Sequence, residues 1–226
     1  MKCTCLYSKS CHIDYNRDYS PTEFFFGYPN SKIWLIGVNP SGPVKQSENH
    51  YVGDKEEHFI YGFLPENDKN KYSQTDYFGR FQKVSMKLFN LFGKENGVAH
   101  TDLVKCFSLS WKSAPFKEVN NSISLNNLIR NCTNHLKSQL DSKDIEFPKI
   151  IICHGRPVVD AISNLITGPV LSDGSSTECT SYLGSYKKGE EIYNVIIINT
   201  GMIHRLDDYA RSRLGKEIEL YMDQIY

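Results

Sequence analysis

Ile33-Trp34-Leu35-Ile36-Gly37-Val38-Asn39-Pro40-Ser41-Gly42 joins a continuous apolar run to a cluster of turn formers. A run without polar alternation is the pattern of a strand covered on both faces, and Asn-Pro-Ser-Gly ends it. The same grammar recurs along the chain. Val98–Phe107 alternates loosely, Ile150–Cys153 runs into His154-Gly155-Arg156-Pro157, and Val195–Ile198 runs into Asn199-Thr200-Gly201. Helical spacing lies between these runs. Phe81–Phe92 sets Val84, Leu88, Leu91 and Phe92 on one side, and Leu125–Leu140 does so with Leu128, Ile129, Cys132, Leu136 and Leu140. A short helix is expected over Val158–Ile166, opened by Pro157, and a closing helix over Leu206–Ile225. Alternating strands and helices predict an α/β fold in three layers, α/β/α, around a central four-stranded parallel sheet.

The remaining sequence bounds the organisation. A length of 226 residues fits one domain over 1–226, with a long polar loop at about 46–76. Ser172–Gly189 is also polar and reads as a surface excursion. The 26 basic residues match the 26 acidic ones, so no global charge draws the chain to nucleic acid or to a membrane. A nucleic-acid enzyme of this composition needs a local basic face. No stretch approaches the roughly 18 apolar residues of a membrane span. The start, Met1-Lys2-Cys3-Thr4-Cys5, lacks the apolar core of a secretory signal. A cytoplasmic monomer is expected, in which seven cysteines call for a reason other than disulfides.

Ligands of open α/β sheets bind beyond the carboxyl ends of the strands. Those ends carry Asn39-Pro40-Ser41-Gly42, Phe107-Ser108, His154-Gly155 and the stretch from Asn199 to His204.

Five segments, in order, resemble the uracil-DNA glycosylase superfamily over about residues 30 to 210. Gly37-Val38-Asn39-Pro40-Ser41 is similar to its Gly-x-Asn-Pro first motif, as in the mismatch-specific branch. Tyr77-Phe78-Gly79-Arg80 resembles the segment whose aromatic ring stacks on the extruded base, with Tyr77 and Phe78 as alternatives for that ring. Thr101-Asp102-Leu103-Val104-Lys105-Cys106 resembles Thr-Asn-Val-Val-Lys-Cys of the iron–sulfur, thermophile-type branch. Ile151–Arg156 and Met202-Ile203-His204-Arg205 resemble that branch's third strand end and its Met-Phe-His-Pro. The resemblance implies Asn39 and His204 as catalytic, and Gly37, Val38, Pro40, Ser41, Tyr77, Phe78, Asp102 and Arg205 as substrate-binding.

Three positions depart from the family pattern. Asn39 stands for an acid of the iron–sulfur branch; it cannot take a proton but can hold a water, and positioning can suffice for an oxocarbenium-like state. Asp102 stands for the Asn that reads uracil. An amide donates and accepts, whereas an ionised carboxylate only accepts. Uracil therefore requires Asp102 protonated or other groups to read the base, and a base with an exocyclic amine suits Asp102 otherwise. Arg205 replaces a proline and is a candidate phosphate contact. His154 lines the same region and stays outside the catalytic set.

In the iron–sulfur branch four cysteines hold a four-iron cluster. The corresponding set here is Cys5, Cys11, Cys106 and Cys132, with Cys3 a substitute for Cys5. The family's amino-terminal Cys-x-x-Cys is absent, so a zinc site and unliganded thiols stay open. Cys153, inside an apolar run, reads as core. The leading expectation is a DNA glycosylase acting on uracil or another deaminated base in DNA. The alternatives are a nucleic-acid or nucleotide-binding module that has lost efficient chemistry, and a metal-cluster protein with a redox-sensing or structural role.

Overall fold

A computed structural model of the chain describes residues 27–38, 79–105, 125–173 and 179–226. The polar loop expected at about 46–76 lies outside them. Strands β1 (Ile33–Gly37), β2 (Val98–Asp102) and β3 (Ile150–His154) are each five residues long and buried throughout. β4 (Val170–Asp173), β5 (Cys179–Lys188) and β6 (Glu191–Thr200) complete one six-stranded sheet in the order β2-β1-β3-β6-β5-β4. The parallel part is the expected four strands, β2-β1-β3-β6, and β5 and β4 extend it antiparallel.

Helices cover both faces, which confirms the three layers. On one face lie α2 (Leu125–Asp141) and α3 (Arg156–Leu165), packed on Trp34, Ile36, Ala99, Ile151 and Ile197. On the other lie a 3-10 turn (Gly79–Lys83), the short α1 (Met86–Phe89) and α4 (Asp208–Met222), packed on Ile33, Leu35, Val98, Ile152 and Ile198. Strand residues alternate between faces, so neighbours in the apolar runs serve opposite layers. Each such side chain contributes about 1.5–3 kcal/mol by leaving water.

Two expectations need correction. The excursion read over Ser172–Gly189 is largely β4 and β5: Tyr182, Gly184 and Tyr186 alternate inward, with both tyrosines buried. Gly184 is required there, because a Cβ would sit 2.3 Å from Ile166 Cγ2. The continuous helix expected over Phe81–Phe92 is broken into a 3-10 turn and α1. Ser85 breaks it, with extended backbone and its Oγ accepting the Leu88 N–H at 3.0 Å. Serine caps helices because its hydroxyl satisfies an orphan N–H of the first turn. The apolar face survives the break, with Phe81, Val84, Leu88 and Phe92 all buried.

Candidate active site

β1 pairs with β2 on one side and with β3 on the other, so the order reverses at β1, the place where ligands of open α/β sheets bind. The register sets one row of residues at that edge. Asp102 is opposite Gly37, His154 is opposite Thr200, and Ile36 opposite Cys153 puts Gly37 level with His154. Asp102, His154 and Thr200 share strand parity with the α1/α4 layer, and Gly37 contributes no side chain between the first two. Beyond the row, the Leu103 and Val104 N–H groups donate to the Gly37 and Val38 carbonyls at 2.8 and 2.9 Å. The ends of β1 and β2 are thereby held together past the strands proper.

Gly155 turns the chain from β3 into α3 with φ of 104°, a conformation that favours glycine. A Cβ there would lie 3.0 Å from Met202 Cε and 3.1 Å from Val38 Cγ2. The loops after β1, β3 and β6 therefore converge on this residue.

His154 organises the loop after β6. Its Nε2 accepts the Ile203 N–H at 3.0 Å, so the neutral ring carries its proton on Nδ1. The edge of the ring meets Phe81, with centroids 5.7 Å apart. Burial first, and then neighbouring His204 and the charge of Arg80, push His154 down to about 4. It is a neutral acceptor that fixes the 3-10 turn Ile203–Arg205. His204 and Arg205 are exposed on that turn. Partial desolvation, Arg80 and Arg205 hold His204 below the ordinary imidazole value, so it is neutral near pH 7 and can donate one N–H.

Asp102 and His100 form a second buried pair. His100 Nε2 lies 3.5 Å from Asp102 Oδ1, a spacing an ion pair would suit. Burial decides otherwise. It pushes Asp102 up to about 8, against the opposing pull of Lys105, and pushes His100 down to about 3, helped by His154 and Lys105. Near pH 7 the carboxyl is therefore protonated and the imidazole neutral. A protonated carboxyl offers one donor and one acceptor.

Lys105 crosses to the other face. It is 1 % exposed, and its Nζ donates to Thr101 Oγ1 at 2.6 Å and to Gln139 Oε1 at 2.7 Å. The contact ties the end of β2 to α2.

Of the residues singled out from sequence, Gly37, Val38, Asp102, His204 and Arg205 lie along this one sheet edge. Asn39, Pro40, Ser41, Tyr77 and Phe78 lie outside the described residues, as do Cys3, Cys5, Cys11 and Cys106. Cys132 is buried on α2. Cys153 is core, and burial pushes its thiol up. Sequence reasoning gave no role to His100, Lys105 or Arg80. Parity along Val98–Asp102 was the available signal for His100, two residues before Asp102 on the same face. Among the described residues no three His, Cys, Asp or Glu side chains gather as metal ligands, and no helix is long and apolar enough to cross a membrane.

The profile of the Uracil DNA glycosylase superfamily matches residues 24–200 of the chain, from before β1 to the end of β6. No curated protein matches it.

Proposed function

The chain belongs to the uracil DNA glycosylase superfamily, and from that premise we propose that it is a DNA glycosylase hydrolysing the N-glycosidic bond of uracil or another deaminated base. The observation that carries this reading is the buried Asp102 carboxyl at the carboxyl end of β2, level with Gly37 and His154, where burial pushes it up and favours its neutral form. An extruded base entering the crevice meets a group that can donate to O4 of uracil and accept from its N3–H. The substitution of Asp for Asn is then tolerated, because burial restores the donor that ionisation would remove.

In the proposed reaction the bond between the base nitrogen and C1′ breaks. Its electron pair goes to the base, a water oxygen bonds to C1′, and the water's proton passes to solvent or to the departing base anion. The neutral His204 donates its N–H to the base O2 as negative charge gathers there, an interaction stronger in the transition state than in the ground state. Asn39 orients the water. His154 acts through His204 and is a positioning residue: its bond to the Ile203 N–H fixes the turn that aims the donor. Extrusion costs a few kcal/mol of unstacking, which contacts to the base and backbone offset.

The iron–sulfur cluster stands as part of this proposal, with Cys5, Cys11, Cys106 and Cys132 as the thiolates. Two features of the fold fit it. Cys132 is buried on α2, and Lys105, directly before Cys106, docks on the same helix through Gln139. When bound, a cluster would tie the amino-terminal segment to α2 as a structural staple.

The test is formation of abasic sites in short oligonucleotides carrying uracil, hypoxanthine or xanthine. His204→Ala should lower the rate by about 10²–10³-fold, the cost of removing one donor aimed at developing charge. No release of any base by the intact protein would refute the glycosylase reading.

A further inference from the structure

A protonated carboxyl has one donor and one acceptor, and its proton can sit on either oxygen. With the proton on one oxygen, Asp102 matches a carbonyl beside a ring N–H, as in uracil. With the proton on the other, it matches an amine beside a bare ring nitrogen, as in cytosine, the parent base. Burial alone therefore makes Asp102 neutral without making it selective.

The fold sets a second group beside it. His100 lies two residues before Asp102 on β2, on the same face of the sheet, opposite Leu35 where Asp102 is opposite Gly37. The layer around that position is apolar: Val98 precedes it on the same face, and Leu35 and Ile152 run level with it on β1 and β3. An imidazole buried there is costly unless a polar group answers it. Its Nε2 lies 3.5 Å from Asp102 Oδ1, and both side chains are buried. Contacts of this kind are often long in an unliganded site and tighten when the ligand binds. Burial favours the uncharged form of both groups, with Lys105 and His154 adding to the effect at His100 and Lys105 opposing it at Asp102. Between two neutral groups what matters is which one donates. The contact runs through Oδ1, so it breaks the symmetry of the carboxyl. An imidazole that donates from Nε2 makes Oδ1 the carbonyl oxygen, because a proton on Oδ1 would meet the Nε2–H.

We propose that His100 is a specificity-determining residue: its Nε2–H donates to Asp102 Oδ1, confines the carboxyl proton to Oδ2, and so selects a base with a carbonyl beside a ring N–H over its amine-bearing parent. His100 acts through Asp102 and is a positioning residue. The proposal rests on the glycosylase reading for the presence of a base at this edge.

The test uses the full chain with isotope-labelled histidine. Long-range nitrogen–proton NMR spectra separate the two neutral imidazole forms, and the His100 signals are those lost in His100→Leu. His100 should be protonated on Nε2 near pH 7. Free uracil and free cytosine are then titrated into the wild type, His100→Leu and His100→Gln, so that no hydrolysis is needed. The wild type should prefer uracil. His100→Leu should lose about 5–150-fold of that preference, the cost of a buried donor meeting a donor. His100→Gln, which keeps an N–H to offer Oδ1, should recover part of it. A His100 protonated on Nδ1 would overturn the proposal, even if His100→Leu fails to fold. So would a wild type that does not prefer uracil, or a His100→Leu variant that weakens both bases equally, as a packing defect would. The two readings fail separately. Base release with His100 protonated on Nδ1 sinks this proposal alone, and a His100-dependent preference for uracil without base release sinks the glycosylase alone.

Discussion

Replacing Asp102 by Asn exchanges a buried titratable acid for an amide of nearly the same shape. Asp102 is 2 % exposed, and burial raises it from the ordinary 3.8 of an aspartate to about 8. An acid whose folded value exceeds its unfolded one keeps a proton in the native state that the unfolded chain gives up. Wild-type stability therefore declines through this group as pH rises from about 4 to about 8, and levels off above. One proton bound by only one state corresponds to about 1.4 kcal/mol per pH unit. From pH 5 to pH 8 the ceiling is thus about 4 kcal/mol. For a chain of this size each kcal/mol moves Tm by about 2–4 °C. His100 and His154, folded at about 3 and about 4, act oppositely and raise stability up to about pH 6.5. Both proteins contain them, so they largely cancel in the difference. The assay is Tm for wild type and Asp102→Asn from pH 5 to pH 9. The Asn variant should gain on the wild type up to about pH 8 and hold a constant lead beyond it. A gap of constant width from pH 5 to pH 9 would mean that Asp102 is ionised in the folded protein. The neutral-carboxyl reading of the base would fall with it.

Two further outcomes follow from contacts of the same edge. His154→Leu leaves the buried Ile203 N–H without its acceptor, which should cost about 1–3 kcal/mol in denaturant unfolding; His154→Gln, which keeps an acceptor, should recover part of that loss and of any base-release rate. Cys132→Ser should abolish visible absorption near about 400 nm in anaerobically purified protein if the cluster is present, and an absorbing variant would remove Cys132 from the ligand set.

The parallel half of the sheet was legible because both of its faces are covered. Ile33–Val38, Ile150–Cys153 and Val195–Ile198 needed no alternation to read as strands, and each appears as one. β5 was obscured because its inward positions are Tyr182, Gly184 and Tyr186, two rings around a glycine, interleaved with Ser and Lys. Helical spacing at Val84, Leu88 and Phe92 marked the buried face and not the helix, since Ser85 caps a new turn within it. The site divides in the same way. His204, Asp102 and Gly37 were visible as polar and glycine residues at strand ends. The protonation of Asp102 was not, because it follows from desolvation by neighbours distant in sequence. Arg80 was visible only as part of a motif, since what matters is the turn from the far end of the chain that packs beside it.

Lys105 offers the sharpest test of whether burial or charge governs this edge. Its ammonium is fully buried against two neutral acceptors, and its charge pulls Asp102 down while pushing His100 and His135 down. At Asp102 burial wins, since the net shift is upward. Lys105→Met keeps much of the apolar stem and removes the charge. Asp102 should then rise further, and His135, the half-buried one of the two histidines, should rise toward its ordinary value. NMR titration of the imidazole resonances reads the second effect, and the Asp102→Asn stability difference measured in the Lys105→Met background reads the first. If His135 stays where it was, its depression comes from burial alone, and Lys105 is a tether between β2 and α2 without electrostatic reach. If His135 rises while the pH at which the Asp102 effect levels off stays fixed, the charge of Lys105 acts toward α2 and the protonation of Asp102 is set by burial at the sheet edge.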